Sequence, residues 1–421
     1  MVKALVIADD FTGALDTGIQ FQAKGSLVRV ADGGGEDLFA VADDIQMLIV
    51  DAETRHMTPE KAYQTVYRIV AAAVAAGVLC IYKKTDSGLR GNIGSELTAM
   101  CDAAGGRTVH FIPAFPKMGR TTRDGIHYVN GVPVAQSVFG KDPFEPVCFS
   151  SVKEIIASQS EVKTLLADGE VPSELPDGIV VYNAQSDEEM MRLASSLKQK
   201  NQLSFLAGCA GFAAMLPALL QLDRADGCLP PLSPKLLTVC GSINPVTVEQ
   251  LDVAENAGIP RIRLGARQKL DPAWLDSAAG GESVDRWFEI IRTAGSSILD
   301  CTGTDDIKEM TQVTEELQLG LEEIRQRISL TMGGVLRRLL DRGLDGTILV
   351  TGGDTLLAFM KCICQNTLIP ICELTPGVVL SQIQYKGKSY GLLSKSGGFG
   401  GKTLLIDLKH MLENAADAAV S

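Results

Sequence analysis

The feature that most constrains this chain is a rhythm of short apolar runs without polar alternation, separated by amphipathic stretches. Ala4–Ala8, Leu27–Ala31, Met47–Val50, Val78–Tyr82 and Val109–Ile112 are such runs, and helical periodicity falls at Pro59–Ala76 and Ile93–Ala104. A strand that is apolar on both faces must be covered on both sides, and strands alternating with helices predict βαβ units in a parallel sheet. The rhythm breaks over residues 113–150, where Pro113, Pro116, Pro133, Pro143 and Pro146 sit among turns and short extended pieces. A long irregular stretch inside a compact domain reads as a functional flap. The rhythm returns at Gly178–Tyr182, Asp187–Lys198, Leu203–Leu206 and Ala210–Leu222.

The segment DGCLPPLSPK, residues 226–235, has three prolines and no periodicity, and marks a boundary. It separates an expected N-terminal domain, residues 1–228, from a C-terminal domain, residues 235–421. The second half repeats the α/β pattern, with strands at Leu236–Cys240, Ile259–Leu264, Ser297–Cys301 and Thr347–Val350. Helices are expected at Pro245–Ala257, through a long stretch near Asp305–Leu340, at Thr355–Cys364, and from near Lys402. Extended pieces fall at Ile369–Leu374, Val378–Gln384 and Ser389–Leu393, and residues 275–285, with Gly280-Gly281, read as an exposed loop. The expected fold class is α/β, with two domains built on mainly parallel sheets; 421 residues suffice for two cores.

A net charge of −12 argues against a broad nucleic-acid or anionic-membrane surface, since both need a positive field. A polyanionic ligand would need local basic groups, a helix N-terminus or a metal. The ten cysteines form no CxxC pair and only four histidines are present, so no zinc framework is expected. Scattered cysteines at apolar positions suit a reducing compartment. No apolar run approaches membrane-spanning length and no signal peptide is apparent, which together predict a cytoplasmic protein.

The C-terminal half carries three strand-end motifs of one type: TVCGSINP (238–245), LVTGGDT (349–355) and LLSKSGGFGGKT (392–403). Each ends an apolar run in glycines and opens a helix. Glycine permits close backbone approach, and unpaired N–H groups at a helix start attract phosphate. One such turn is explained by chain reversal alone, but three in one domain point to a nucleotide site. The last resembles a P-loop, yet a Walker A motif needs glycine where Ser396 stands, so the register fails.

In the N-terminal half, LVIADDFTGALDTG (5–18) ends its apolar run in Asp9-Asp10. Ligands bind beyond the carboxyl ends of parallel strands, so these carboxylates either face a ligand or cap the following helix. YKKTDSGLRGNIGSEL (82–97) gathers Lys83, Lys84, Thr85, Asp86, Ser87 and Arg90 in the next strand-to-helix turn, and DAETRHM (51–57) adds Arg55 and His56. Carboxylates, hydroxyls and guanidinium groups at three strand ends suit a small polyhydroxylated anion, the alternative being solvated charge. The flap supplies Lys117, Arg120 and Arg123.

IADDFTGALDTG, YKKTDSGLRGNIGSE, GRTTRDG with VNGVPV, GGDT and KSGGFG together resemble the four-carbon acid sugar kinase family over residues 2 to about 410. The Asp16-Thr17-Gly18 and DAETR segments are most similar to its D-threonate branch. The resemblance implies ATP-dependent phosphorylation of the C4 hydroxyl of a sugar acid, D-threonate foremost, with D-erythronate and 3-oxo-tetronate as alternatives. It implies ATP and Mg2+ as cofactors, no nucleic-acid or membrane partner, and compatibility with a homo-oligomer. It places the acid sugar on Asp9, Asp10, Arg55, Lys84, Thr85, Asp86, Ser87 and Arg90, with Asp10 or Asp86 as proton acceptor. It places the nucleotide on Ser242, Gly352, Gly353, Asp354, Thr355, Lys395, Gly397, Gly398 and Gly400, with the active site in the cleft between domains and no metal ligand assigned. Arg55 is the expected grip on the substrate carboxylate. A non-catalytic sensor of both ligands is the rival reading. A dinucleotide-dependent dehydrogenase is disfavoured, because the first strand ends in A-D-D-F-T-G and not G-x-G-x-x-G.

Overall fold

A computed structural model of the chain describes residues 2–21, 26–30, 38–39, 45–142, 145–222, 232–302, 307–395 and 397–420. The chain divides into two compact units, Met1–Asp226 and Gly227–Ser421. Most of the proline-rich boundary segment, and Ala31, Pro143 and Ser396, lie outside the described residues.

Unit 1 begins with β1 (Ala4–Ala8), α1 (Phe11–Phe21), β2 (Ser26–Val30), β3 (Met47–Asp51), α2 (Pro59–Ala75), β4 (Cys80–Lys84), α3 (Ile93–Ala103) and β5 (Val109–Ile112). The proline-interrupted stretch follows as β6 (Arg120–Arg123), β7 (Ile126–Val129) and β8 (Val132–Pro133), a small antiparallel sheet where only extended pieces were expected. Then come α4 (Val152–Ala157), β9 (Thr164–Asp168), β10 (Ile179–Asn183), α5 (Asp187–Gln199), β11 (Phe205–Gly208), α6 (Ala210–Ala213) and α7 (Leu216–Leu220). The single helix expected over 210–222 is therefore two short ones, and α4 and β9, of six and five residues, are too short to show a clear period.

Among the described residues, the main sheet of unit 1 runs β2-β3-β1-β4-β11-β5-β10-β9, all parallel. Leu5, Ile7, Leu48, Val50, Ile81, Phe111 and Val181 pack with Val66 and Ile69 of α2 and Leu97 and Met100 of α3 in one core. That burial on both faces is why the strands read as unbroken apolar runs. The chain winds from β1 to β2 and β3 on one side and returns to β4 on the other. The carboxyl ends of β1 and β4 thus flank a topological switch point, where an open α/β sheet leaves a crevice.

Unit 2 contains β12 (Leu236–Cys240), α8 (Pro245–Asn256), β13 (Arg261–Arg263), α9 (Ala266–Leu270), α10 (Ala278–Thr293), β14 (Ser296–Asp300), α11 (Ile307–Glu316) and α12 (Leu321–Asp341). It continues with β15 (Thr347–Thr351), α13 (Gly353–Cys362), β16 (Thr367–Thr375), β17 (Val378–Tyr385), β18 (Lys388–Lys395) and α14 (Leu404–Val420). The strand order is β13-β14-β12-β15-β18-β17-β16, parallel through β18 and antiparallel in the β16–β18 meander. Leu236, Leu349 and Leu393 from three strands meet Leu251 of α8 and Leu405 and Leu408 of α14. The chain leaves β12 toward β13 and β14 and returns to β15 on the other side, so β12 and β15 flank a second switch point.

Two expectations change here. Residues 275–285 are not an exposed loop: a 3-10 turn over Trp274–Asp276 leads into α10 at Ala278, the Ser277 side chain accepts from Gly280 N, and Val284, Trp287 and Ile291 bury at helical spacing. Gly280 hides the helix because it is small for packing, not for turning; a Cβ there would lie 2.2 Å from the Trp274 carbonyl oxygen. The long helix near 305–340 is two helices, α12 beginning after Gly320, whose amide is capped by the Glu323 carboxylate at 3.1 Å.

Candidate active site

The register of unit 1 places Ala8 opposite both Asp51 and Lys84, so the turns after β1, β3 and β4 emerge side by side. Asp10 Oδ1 accepts from Gly13 N at 2.9 Å and caps α1. Asp10 Oδ2 accepts from Arg55 Nη1 at 2.7 Å, while Arg55 Nε and Nη2 reach Asp9 Oδ2 at 2.8 and 2.7 Å. The fork expected to hold a substrate carboxylate is thus turned on the protein's own carboxylates. Asp9 Oδ1 is buried with no hydrogen-bond partner among the described residues. Burial pushes the Asp9 carboxyl up, but Arg55, Lys84 and Lys83 outweigh it and hold the group below its ordinary value.

The β4 turn is equally ordered. Asp86 Oδ2 accepts from the backbone of Gly88 (3.0 Å) and Arg90 (3.3 Å) and from Arg90 Nε (3.0 Å), and Oδ1 accepts from Arg90 Nη2 at 3.0 Å. Burial opposes the Asp86 charge, yet Arg90 and Arg55 keep it well below the usual carboxylate range. Arg90 Nη1 also donates to Asp142 at 3.0 Å. Lys83 points the other way, buried against Glu96 at 2.9 Å. Lys84 is 6% exposed, and the charge at its Nζ helps keep Asp9 and Asp86 ionised. A Cβ on Gly13 would lie 2.7 Å from that Nζ and 2.5 Å from Asp10 Oδ1, so lysine and aspartate meet at the start of α1. Thr85 Oγ1 is buried with no hydrogen-bond partner among the described residues. Ser87 contributes its carbonyl, which accepts from His127 Nε2 at 2.9 Å and ties β7 to this turn.

Some of the architecture gave no signal in the sequence. Asn92 Nδ2 donates to the carbonyls of Thr54 and Met57 at 2.8 and 2.9 Å, joining the β3 turn to α3. The turn Gly208-Cys209-Ala210-Gly211 adjoins Thr85, whose N–H donates to Gly208 O at 2.8 Å. Its glycines after the apolar Phe205–Ala207 form a strand-end pattern legible in the sequence. His56 pairs with Glu145 at 2.6 Å, so it belongs to the anchoring of the proline-rich stretch.

In unit 2, β12, β15 and β18 are parallel neighbours, which brings together the turns at Gly241-Ser242, Gly352-Gly353 and Lys395–Gly401. The turns interlock through missing side chains. A Cβ on Gly241 would sit 1.7 Å from Thr355 Oγ1, one on Gly397 would sit 2.8 Å from Ser242 Oγ, and one on Gly398 would lie 3.7 Å from Asn244 Nδ2. Gly352 (φ 103°) and Gly400 (φ 87°) occupy backbone conformations that L side chains rarely adopt. The side chain of Asn244 accepts from Val246 N and caps α8, whose first residue Pro245 has no N–H, so the open N–H groups come chiefly from the start of α13, which follows Gly352. Thr355 Oγ1 is buried without a hydrogen-bond partner among the described residues. Lys395, 1% exposed, donates to Thr247 Oγ1 at 3.0 Å and Gly397 O at 3.1 Å, and burial pulls its pKa down to about 8. Gln250 Nε2 reaches the carbonyls of Phe399, Gly400 and Gly401 at 3.0–3.1 Å. Thr247 and Gln250 sit on α8 and carried no motif. Asp354 is paired to Arg325 at 2.6 Å, and among the described residues no cluster of three or more His, Cys, Asp or Glu side chains could hold a metal.

Two parallel α/β units, one with a charge-lined turn cluster and one with a glycine-lined anion cradle, define the class: a two-domain protein with separate polar and nucleotide-type sites. Residues 4–216 match a sugar-binding N-terminal domain family, and residues 237–405 match a nucleotide-binding C-terminal domain family. The D-threonate kinase of Salmonella typhimurium is 28% identical, covering 98% of this chain and 99% of its own. A D-erythronate kinase of Heliobacterium modesticaldum is 28% identical over 89% of each chain, and a 3-oxo-tetronate kinase of Pseudomonas fluorescens is 26% identical over 94% of each. A crystal structure from Haemophilus influenzae covers 97% of this chain and all of its own, with a TM-score of 0.69 at 18% identity, and shows the same fold. The chain belongs to the four-carbon acid sugar kinase family. It is an ATP-dependent carbohydrate kinase. Among the described residues no helix is long and apolar enough to cross a membrane.

Proposed function

We propose that this kinase transfers the γ-phosphoryl group of ATP to the C4 hydroxyl of D-threonate, giving 4-phospho-D-threonate and ADP. The family includes enzymes named for three tetronates, and the D-threonate kinases of Salmonella typhimurium and Bordetella bronchiseptica, each 28% identical, support that substrate. The observation that carries the reading is a pair of unsatisfied buried groups in one turn cluster among the described residues: Asp9 Oδ1 and Thr85 Oγ1. Buried polar groups without partners cost stability, and a ligand rich in hydroxyls relieves both.

Residues 1–228 hold the acid sugar and residues 235–421 the nucleotide. Phosphoryl transfer is positioning plus electrostatic stabilisation. Asp10 is the better proton acceptor, since each of its oxygens takes one hydrogen bond and its side chain is 26% exposed, whereas Asp86 is 10% exposed and takes three bonds on Oδ2 alone. The C4 oxygen bonds to the γ-phosphorus, the bond to the β,γ-bridging oxygen breaks, and the hydroxyl proton passes to Asp10 and then to water. Lys84, beside Asp10, offsets charge at the reacting end. The cradle of Ser242, Gly352–Thr355 and Gly397–Gly400 fits the phosphates through backbone N–H groups, and Lys395 adds a cation. Mg2+ neutralises phosphate charge and fits as an ion carried by the nucleotide, because Asp354 already faces Arg325.

An ADP-release screen over D-threonate, L-threonate, D-erythronate and 3-oxo-tetronates with Mg2+ tests this. The highest kcat/KM should fall on D-threonate; a preference for another tetronate reassigns the substrate. Binding of both ligands without ADP release would favour a sensor.

A further inference from the structure

The cations around the unit 1 turn cluster are almost all spoken for. Arg55 faces Asp9 and Asp10, Arg90 faces Asp86 and Asp142, and Lys83 faces Glu96. Arg120, at the start of β6, is different. Among the described residues its guanidinium makes no ion pair, Nη1 donates to the Met118 carbonyl, and Nε is buried with no hydrogen-bond partner. The side chain is half-buried and lies with its guanidinium carbon 5.7 Å from the centre of the Phe139 ring, the same ring that Arg90 covers at 5.1 Å from its other neighbour turn.

Arg120 is also held firmly in place. Its N–H and carbonyl bond to the Phe115 backbone at 3.1 and 2.8 Å. Thr122 pairs with Ala184 through backbone bonds of 2.9 and 3.0 Å in both directions, and His127 on the adjoining strand anchors the hairpin to Ser87. Asp86 is near enough for its charge to stabilise the Arg120 cation, although burial dominates and pulls its pKa down. A half-buried guanidinium without a carboxylate partner, on a rigid hairpin locked to the turn that carries Asp86, lacks one component: an anion.

We infer that Arg120 binds the carboxylate of the four-carbon acid, an assignment that rests on the proposed reading of this site. Guanidinium presents a planar fork that matches a carboxylate, and the role expected of Arg55 passes to a residue whose fork is not already filled. The substrate then lies with its acid end at Arg120 and its C4 hydroxyl at Asp10 and Lys84, which makes Arg120 the residue that distinguishes a sugar acid from a neutral sugar.

The test compares wild type, Arg120→Ala and Arg120→Lys on D-threonate and on its uncharged amide. Arg120→Ala should lower kcat/KM on the acid about ten- to a hundredfold, chiefly through KM, and so collapse the preference for acid over amide. Arg120→Lys, which keeps the charge but not the fork, should fall between. An equal fractional loss on acid and amide would make Arg120 a structural brace and overturn the assignment alone. A folded wild-type protein that turns over no four-carbon acid would overturn the reading of the site, and this assignment with it.

Discussion

Arg55 spans Asp9 and Asp10, with Nη2 2.7 Å from one carboxylate and Nη1 2.7 Å from the other. Two adjacent aspartates at a strand end point to opposite faces, and a single guanidinium from the neighbouring β3 turn gathers both. Its side chain is 11% exposed, so the pairing is shielded from solvent.

The first prediction concerns that brace. Arg55→Lys keeps a positive charge but cannot bond both carboxylates in a plane. The loss should be about 1.5–3 kcal/mol, or ten- to a hundredfold in kcat/KM, and should fall equally on D-threonate and its amide. A loss confined to the acid would restore Arg55 as a carboxylate grip.

A second prediction separates the two units. Gly352 has φ 103°, and a Cβ there would lie 3.3 Å from the Gly241 carbonyl carbon. Gly352→Ala should therefore strain the turn before α13 and weaken ATP binding at least about tenfold, while D-threonate binding in calorimetry is preserved. Parallel loss of both ligands would show that the labour is not divided between the units.

The parallel strands were legible because burial on both faces leaves no polar alternation, and their turns because glycine and charge cluster only at the strand ends. Asp9, Lys84 and the Gly352 turn stand out for that reason. What the sequence conceals is pairing. Nothing local distinguishes Arg55, which is saturated by Asp9 and Asp10, from Arg120, which has no acid partner among the described residues; that difference exists only once segments 46 residues apart are neighbours. Thr247 and Gln250 are hidden similarly, as polar positions on an ordinary helix that happen to face the Gly397–Gly401 loop. The start of α10 was misread because its paired glycines mimic a loop.

The third prediction follows from His127, which donates from Nε2 to Ser87 O and therefore accepts at Nδ1 from Thr122 Oγ1 at 3.2 Å. Burial pulls its pKa from 6.5 down to about 4, and His110 is held to about 4 by the same cause. Between these values the unfolded chain binds more protons than the folded one, so stability falls as pH falls from 6.5 to 4. Each histidine accounts for up to about 3 kcal/mol over that window. Urea melts should show His127→Gln losing markedly less stability than wild type between pH 6.5 and 4; parallel curves would mean that His127 is not kept neutral by the fold.

The last prediction concerns Lys395. Its ammonium is buried in unit 2 between Thr247 and the Gly397 carbonyl, and burial holds its pKa to about 8 instead of 10.5. The sign is opposite to that of a paired lysine. The folded protein gives up this proton before the unfolded chain does, so stability contributed by this group rises as pH climbs from 8 to 10.5. Nucleotide binding should run the other way. If the charge serves the phosphates, it is present below pH 8 and lost above it, so ATP affinity should fall as pH rises from 8 to 10. Bound phosphate raises the lysine's pKa, and ATP binding near pH 9 should therefore take up a proton, visible as a dependence of the calorimetric heat on the buffer's ionisation enthalpy. Lys395→Met should weaken ATP binding at pH 7 and abolish both the proton uptake and the alkaline decline. Lys395→Arg, charged throughout this range, should lose the pH dependence while keeping part of the affinity. A methionine variant that still takes up a proton and still loses affinity above pH 8 would assign that titration to another group and leave Lys395 as a tether for the Gly397 loop.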